Sequence, residues 1–313
     1  MRELWFPASV LFALGVLIYA VLYQRSLNMA AEQLEACRQV LNTTTMKVLE
    51  TRMWPHAKIM YWLFSLRSDR SPHAFAQAFT FYNGLGTVLF VMLLFRLCRR
   101  VASANASTLA CLYLVALYPI MLFDNYFQPG DPWGAMLAVL MVEVLLTDRS
   151  RGWYYVLLLI SGVAWEKALL LPFSVALFDL KSGRKLLGVV GGTILGVVLA
   201  MAGQLSIRFA LHVNDLAWAS VSVMDNVWQL PKFFLRAGAL YGIQVVHEIT
   251  EYRRIPFLFT ALMLQFLVWP FLYFTVGGNI GEMRGLLIMV PYTWPVLAMF
   301  FDKISGQTPQ EIV

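Results

Sequence analysis

Five short groups of ionisable residues interrupt a chain that is otherwise strongly apolar. The first is Glu50-Thr51-Arg52-Met53-Trp54-Pro55. The second runs from Asp124 to Asp131-Pro132-Trp133. The third is Glu166-Lys167, with apolar sequence on both sides. Arg208, Asp215 and Asp225 form a scattered fourth, and Gly281-Glu282-Met283-Arg284 closes a fifth that begins at Gly277. A carboxylate can take a proton from an acceptor hydroxyl or hold a divalent cation, and Arg or Lys can clamp a phosphate. Charges near or within a bilayer are expensive and face a cavity or one another. Glu50 and Asp131 are therefore the candidate catalytic carboxylates, and Arg52, Glu166, Lys167, Glu282 and Arg284 the candidate substrate contacts. A divalent metal is the one cofactor the residues leave open, with the Asp124–Asp131 stretch as its place.

Each group also has a plain structural reading. Glu166-Lys167 can be an ion pair that holds a turn. Asp131 followed by Pro132 has the pattern of a helix N-cap with proline at the first helical position. Glu282 at a helix start suits the helix dipole. Asp215 and Asp225 can be ordinary solvated loop residues.

The elements that must position these groups follow from composition. Of 313 residues, 59% are hydrophobic and only 13% charged, with mean hydropathy +0.66. A soluble domain carries roughly twice that share of charge. The composition reads as a polytopic helical membrane protein, all-α, in a single integral membrane domain over 1–313. The net charge of +6 fits cytoplasmic loops, and no Lys/Arg-rich soluble run points to nucleic acid. Cys37, Cys98 and Cys111 have neither zinc-site nor disulfide-framework spacing and read as packing residues. His56, His73, His212 and His247 are scattered, so no histidine metal site is indicated.

Apolar stretches of spanning length or nearly so fall at 4–23, 77–97, 104–123, 132–147, 186–206, 229–247, 255–276 and 285–301. The first is longer than a signal-peptide core and reads as a retained helix. The stretch 153–180 holds Glu166-Lys167 in its middle. Arg149 and Arg151 precede it, and Lys181, Arg184 and Lys185 follow. Basic short loops stay cytoplasmic, so two basic flanks require an even number of crossings. The spacing predicts a hairpin of two short helices turning at Glu166-Lys167, and about ten membrane helices in all. A single span over 153–180 is the competing topology, with nine. In the ten-helix arrangement both termini are cytoplasmic, 302–313 is a short tail, and all five polar groups lie on the outer side. The first outer loop, 24–76, carries Leu34, Cys37, Leu41 and Val48 near helical spacing, with Glu32, Glu35 and Arg38 between them. This pattern predicts an amphipathic helix at the membrane surface. An apolar piece with Trp54, Tyr61 and Trp62 follows it. No internal repeat is evident.

This arrangement resembles the polytopic GT-C-type glycosyltransferases, in particular their short bacterial members. The resemblance is carried by the long first outer loop, the acidic pair Asp124 and Asp131 near the third and fourth helices, Trp165-Glu166-Lys167 before an apolar run, and Glu282-Met283-Arg284 with Pro291 after it. The resemblance implies inverting transfer of a sugar from a polyprenyl-phosphate carrier to an envelope acceptor, at the outer face of a bacterial plasma membrane. It implies a lipid-linked sugar phosphate, membrane lipid and a protein partner of an envelope glycan pathway as the molecules met. It places the catalytic carboxylate in the first outer loop, where Glu32, Glu35, Glu50 and Asp69 stand. Glu50 is the choice because Arg52 and Pro55 follow it. A non-catalytic handler of lipid-linked glycans, such as a flippase or assembly partner, is the alternative. A third, an envelope acyltransferase or polysaccharide polymerase, has only His212 and Asp215 in its favour.

Overall fold

The computed structural model describes residues 15–17, 21, 23, 24, 26–42, 53–121, 130–147, 151–210, 223–251, 263 and 287–306. Among them every regular element is helical. In chain order these are α1 (Ala30–Asn42), α2 (Trp54–Ser65), α3 (Pro72–Cys98), α4 (Ala104–Met121), α5 (Asp131–Leu146), α6 (Arg151–Ala164), a 3₁₀ turn (Glu166–Leu170), α7 (Leu171–Lys181), α8 (Leu186–Ala210), α9 (Val223–Glu251) and α10 (Val290–Ile304). The expected spans 4–23 and 255–276 lie almost wholly outside the described residues.

Local chemistry explains several boundaries. Ser71 caps α3 by accepting the Ala74 N–H, and Pro72 opens the helix where its missing N–H has no role. Asp69 in turn accepts from the Ser71 backbone N–H at 2.8 Å and from its hydroxyl at 2.7 Å. These two hydrogen bonds hold the Asp69 carboxyl below the usual carboxylate range. Pro172, in the first turn of α7, favours a helix start there. Trp165 is extended, with φ −152° and ψ 118°, and this breaks the helix between α6 and the 3₁₀ turn.

Side-chain pairs give the helix directions. Tyr82 of α3 stacks on Trp133 of α5, and further along Arg96 pairs with Glu143. Thus α3 and α5 run parallel. Arg151 at the start of α6 pairs with Asp179 near the end of α7. The chain from 151 to 181 therefore reverses at the 3₁₀ turn and returns to the end it left. Next, α8 runs beside α6. A Cβ on Gly162 would meet the Ala200 carbonyl oxygen at 2.3 Å, and one on Gly203 would meet the Leu159 oxygen at 2.4 Å. Only glycine permits this backbone approach, the small-residue packing common between membrane helices. At the other flank, Trp294 of α10 donates to the Ala110 carbonyl of α4 and packs edge-on against Tyr241 of α9.

Two ends result. One gathers the finish of α3, α5, α7 and α10 with the start of α4, α6 and α8, and is called the Glu143 end. The other gathers the start of α5 and the 3₁₀ turn, and is called the Asp131 end. The helices α1 and α2 cover the Asp131 half of α3 through Leu34, Cys37, Met60, Phe64 and Phe75. As the alternation of residues predicts, α1 is amphipathic, with Glu32, Glu35 and Arg38 exposed. Its apolar face, however, packs on α2 and α3. Burial in this packing pushes the Cys37 thiol up to about 12.

Among the described residues three helices are long and apolar enough to cross a membrane: Pro72–Cys98, Leu186–Ala210 and Leu287–Ile304. This supports a membrane protein. By length, α5, α6 and α7 fall short: even the 16 residues of α5 reach only about 24 Å against a hydrocarbon core of about 30 Å.

Candidate functional site

The Asp131 end brings together side chains from four separate elements. Asp131 begins α5 and is buried, as is Lys167 in the 3₁₀ turn. The Lys167 ammonium lies 2.7 Å from Asp131 Oδ1, and the Trp165 indole N–H donates to the same oxygen at 2.9 Å. The ammonium also stands 5.4 Å from the centre of the Trp165 ring. A carboxylate, an ammonium and an aromatic face thus share one site, in which a low dielectric strengthens every interaction.

Two glycines make the approach possible. A Cβ on Gly134 would stand 2.2 Å from the Trp165 ring, so the indole lies flat on bare α5 backbone. A Cβ on Gly130 would stand 2.9 Å from His56 Nε2 and 3.0 Å from the Ala164 carbonyl oxygen. The break at Trp165 serves the same arrangement, because an extended residue can swing its indole across to α5.

His56, from the first turn of α2, completes the group. Its Nε2 lies 3.0 Å from the Ala164 carbonyl oxygen and its Nδ1 2.6 Å from the Tyr82 hydroxyl. A carbonyl only accepts, so Nε2 carries the proton, and a neutral ring then accepts the Tyr82 hydroxyl hydrogen at Nδ1. This histidine ties α2, α3 and the end of α6 into one unit beside Asp131. The Trp133 indole N–H is buried nearby with no hydrogen-bond partner.

The sequence-derived candidates divide three ways. Asp131 and Lys167 meet directly, although 36 positions separate them. The Asp131 side chain turns to the 3₁₀ turn, and Gly130, which has no capping side chain, precedes the helix. The N-cap reading of Asp131 is therefore corrected. The Lys167 salt bridge crosses to Asp131 of α5, so an ion pair involving Lys167 reaches beyond the turn itself. Glu166 opens the 3₁₀ turn, but its side chain lies outside the described residues, as do Glu50, Arg52, Glu282, Arg284, Asp124 and Asp215 entirely. Of the other first-loop carboxylates, Glu32 and Glu35 are exposed on α1, and Glu35 accepts from Gln39. Among the described residues no cluster of three His, Cys, Asp or Glu could hold a metal.

Sequence reasoning missed His56 and Tyr82 as site residues, and it marked Trp165 only as part of the Trp165-Glu166-Lys167 triplet. A faint signal existed for Tyr82, which with Asn83 puts polar atoms into the middle of an apolar helix. His56 gave none, because its partners come from 26 and 108 positions away.

At the Glu143 end the polar contacts differ. Glu143 accepts from Arg96 at 2.7 Å and Arg100 at 2.8 Å, Asp179 pairs with Arg151 and Arg184, and Asp302 accepts the Ser103 backbone N–H at 2.7 Å. Comparison with protein-family models, curated proteins and solved structures gives no match.

Proposed function

We propose that this protein is a multi-pass membrane glycosyltransferase that takes a sugar from a polyprenyl-phosphate carrier and works at the Asp131 end of its bundle. The observation that carries the reading is the meeting of Asp131 and Lys167 beside the hydrogen-bonded His56 and Tyr82. Four elements converge there, at the point where the 3₁₀ turn interrupts the α6–α7 hairpin. Irregular backbone among apolar helices is tolerated where it is buried in protein or lines a cavity. Buried ionisable groups in such a place mark functional sites by default.

In the proposed topology, α6 and α7 enter from the cytoplasmic Glu143 end and turn before reaching the outer surface. About ten membrane helices leave both termini in the cytoplasm of a bacterial cell. The exposed arginines and lysines at the Glu143 end support this orientation by the positive-inside rule. Arg96, Arg100, Arg184 and Lys185 all stand exposed there.

Chemically, Lys167 would neutralise charge on the departing lipid phosphate, and Asp131 would hold the ammonium in place. Deprotonation of the acceptor hydroxyl falls to a second carboxylate, for which Glu50 is the candidate; Arg52, Glu166, Glu282 and Arg284 are proposed to contact the sugar phosphate. The test is transfer of labelled sugar from a polyprenyl-phosphate donor by the purified full-length protein. Glu50→Gln and Lys167→Met are expected to abolish product while the protein stays folded, and product at wild-type levels in both would refute the reading. One observation favours a second reading. Asp131 and Lys167 compensate each other's charge, as suits a non-catalytic handler of lipid-linked glycans. That reading predicts no product from any donor but lipid-linked glycan translocation in vesicles.

A further inference from the structure

Among the described residues, one ionised side chain at the Asp131 end, Arg208, is buried with no ion-pair partner. Arg208 lies in the last turn of α8 and is 8% exposed, so more than nine-tenths of it is buried. Its Nε is buried without any hydrogen-bond partner, and among the described residues no carboxylate pairs with its guanidinium. The other buried charges described have partners: Asp131, Lys167, Glu143 and Asp179 are in salt bridges, and Asp302 accepts hydrogen bonds from Ser103. Guanidinium does not shed its proton in proteins. A buried unpaired charge is strongly destabilising, so an arginine held this way lacks the anion it is shaped for.

The position of Arg208 identifies that anion's class. Gly203 of α8 packs on Leu159 and Val163 of α6. Arg208, five residues on, is about 7.5 Å further along the helix, past the level of Val163 and toward the Asp131 end. Its neighbours are apolar and open: Leu205 is 47% and Phe209 86% exposed. An anion reaching Arg208 past these side chains travels with an apolar tail. Guanidinium matches the oxygens of phosphate in a planar fork.

We infer that Arg208 is a binding site for the phosphate of a lipid-anchored ligand, entering beside the exposed apolar face of α8. This shares the placement of the site under the proposed function and is independent of sugar transfer. Two lipid classes offer that phosphate: an isoprenoid carrier and the headgroup of an ordinary anionic phospholipid.

The experiment uses the full-length protein in neutral detergent, with binding read by native mass spectrometry and by thermal shift. The probes are a polyprenyl monophosphate, the matching uncharged polyprenol, and phosphatidylglycerol. The polyprenyl monophosphate is expected to bind and raise Tm, and the polyprenol to leave Tm unchanged. Arg208→Gln is expected to weaken phosphate-lipid binding at least ~10-fold, the loss of a charge-assisted pair. Selectivity for the polyprenyl phosphate identifies a carrier site, and equal binding of phosphatidylglycerol identifies a headgroup site; both uphold the inference. Unchanged affinity of Arg208→Gln for both phosphate lipids overturns it. A second readout covers failure to fold. Because the lipid-free protein bears an unpaired charge, Arg208→Met is expected to keep or raise its Tm. A lower lipid-free Tm in both variants overturns the inference by showing that the guanidinium serves the fold. Phosphate binding that survives without any sugar transfer would leave Arg208 standing and sink only the transferase reading.

Discussion

At the Glu143 end buried carboxylates face arginines whose heads reach water; at the Asp131 end both members of the ion pair are inside. Glu143 is held by Arg96 and Arg100, whose side chains are 53% and 38% exposed. Lys167 and Asp131 are 9% and 4% exposed. An arginine can lay its stem along apolar surface and keep its head hydrated, so the Glu143 end desolvates little charge beyond the carboxylate itself. Each of Glu143 and Asp179 also has two cations, so losing one leaves the other. The Asp131 end removes an ammonium and a carboxylate from water together, and a well-packed apolar pair of similar size is often no less stable. Retaining the ion pair there argues for a role besides stability, whereas the Glu143 end needs only to hold its helices together.

Removing one member of each pair tests this contrast most strongly. Lys167→Met leaves Asp131 buried without its cation and is expected to cost ~3–5 kcal/mol in thermal or denaturant unfolding in detergent. The double variant with Asp131→Leu is expected to recover most of that loss. If the double variant is no better than the single one, the pair is a structural clamp. The next largest effect is expected from Gly134→Ala, which drives a methyl group into the Trp165 ring. A cost of ~1–3 kcal/mol is expected for such overpacking, with weaker Lys167 placement read, under the proposed function, as lost sugar transfer.

Tyr82→Phe removes the hydrogen on which His56 Nδ1 depends and is expected to cost ~1 kcal/mol. A change in transfer activity larger than this would place the histidine in the site rather than in the scaffold. At the other end, Arg96→Ala is expected to cost less than ~1 kcal/mol, because an exposed arginine contributes little and Arg100 still holds Glu143. A loss comparable to that of Lys167→Met would erase the distinction between the ends. The smallest effect concerns Asp69, which is fully exposed beside the α3 cap. Its lowered pKa means that its stabilisation is present above the ordinary carboxylate range and disappears as pH falls through the folded-state value. The Tm difference between wild type and Asp69→Asn is expected to vanish on acidification.

Asp131 and Lys167 were legible one at a time, Lys167 as a charge stranded in apolar sequence and Asp131 as the end of the polar stretch 124–131. Their pairing was not, because a two-residue signal carries no information about which helix lies opposite. The turn at 165–170 shows the same limit. Basic flanks on both sides called for a reversal, and Arg151 meeting Asp179 is the geometry of one. The extended Trp165 that makes the break leaves no mark in composition, since its reason is the bare backbone of Gly134 on another helix. His56 was set aside for lacking neighbours of its own kind. Its partners are a tyrosine hydroxyl and a backbone carbonyl, and a carbonyl is available at every residue of any chain.

What the sequence determined by itself was the solvent and the class of structure: apolar content sets the burial, and helical spacing in α1 sets its exposed and buried faces. Those are local or summed properties, and a chain cannot avoid them. Tertiary structure alone decided which charges are neutralised. Among the described residues Glu143, Asp179 and Asp131 find cations across helix boundaries, while Arg208 does not. The energy of a buried charge depends on what lies within a few ångströms, and at Asp131 that is set in part by Gly134 on α5, whose missing side chain lets Trp165 close on the helix and donate to the carboxylate.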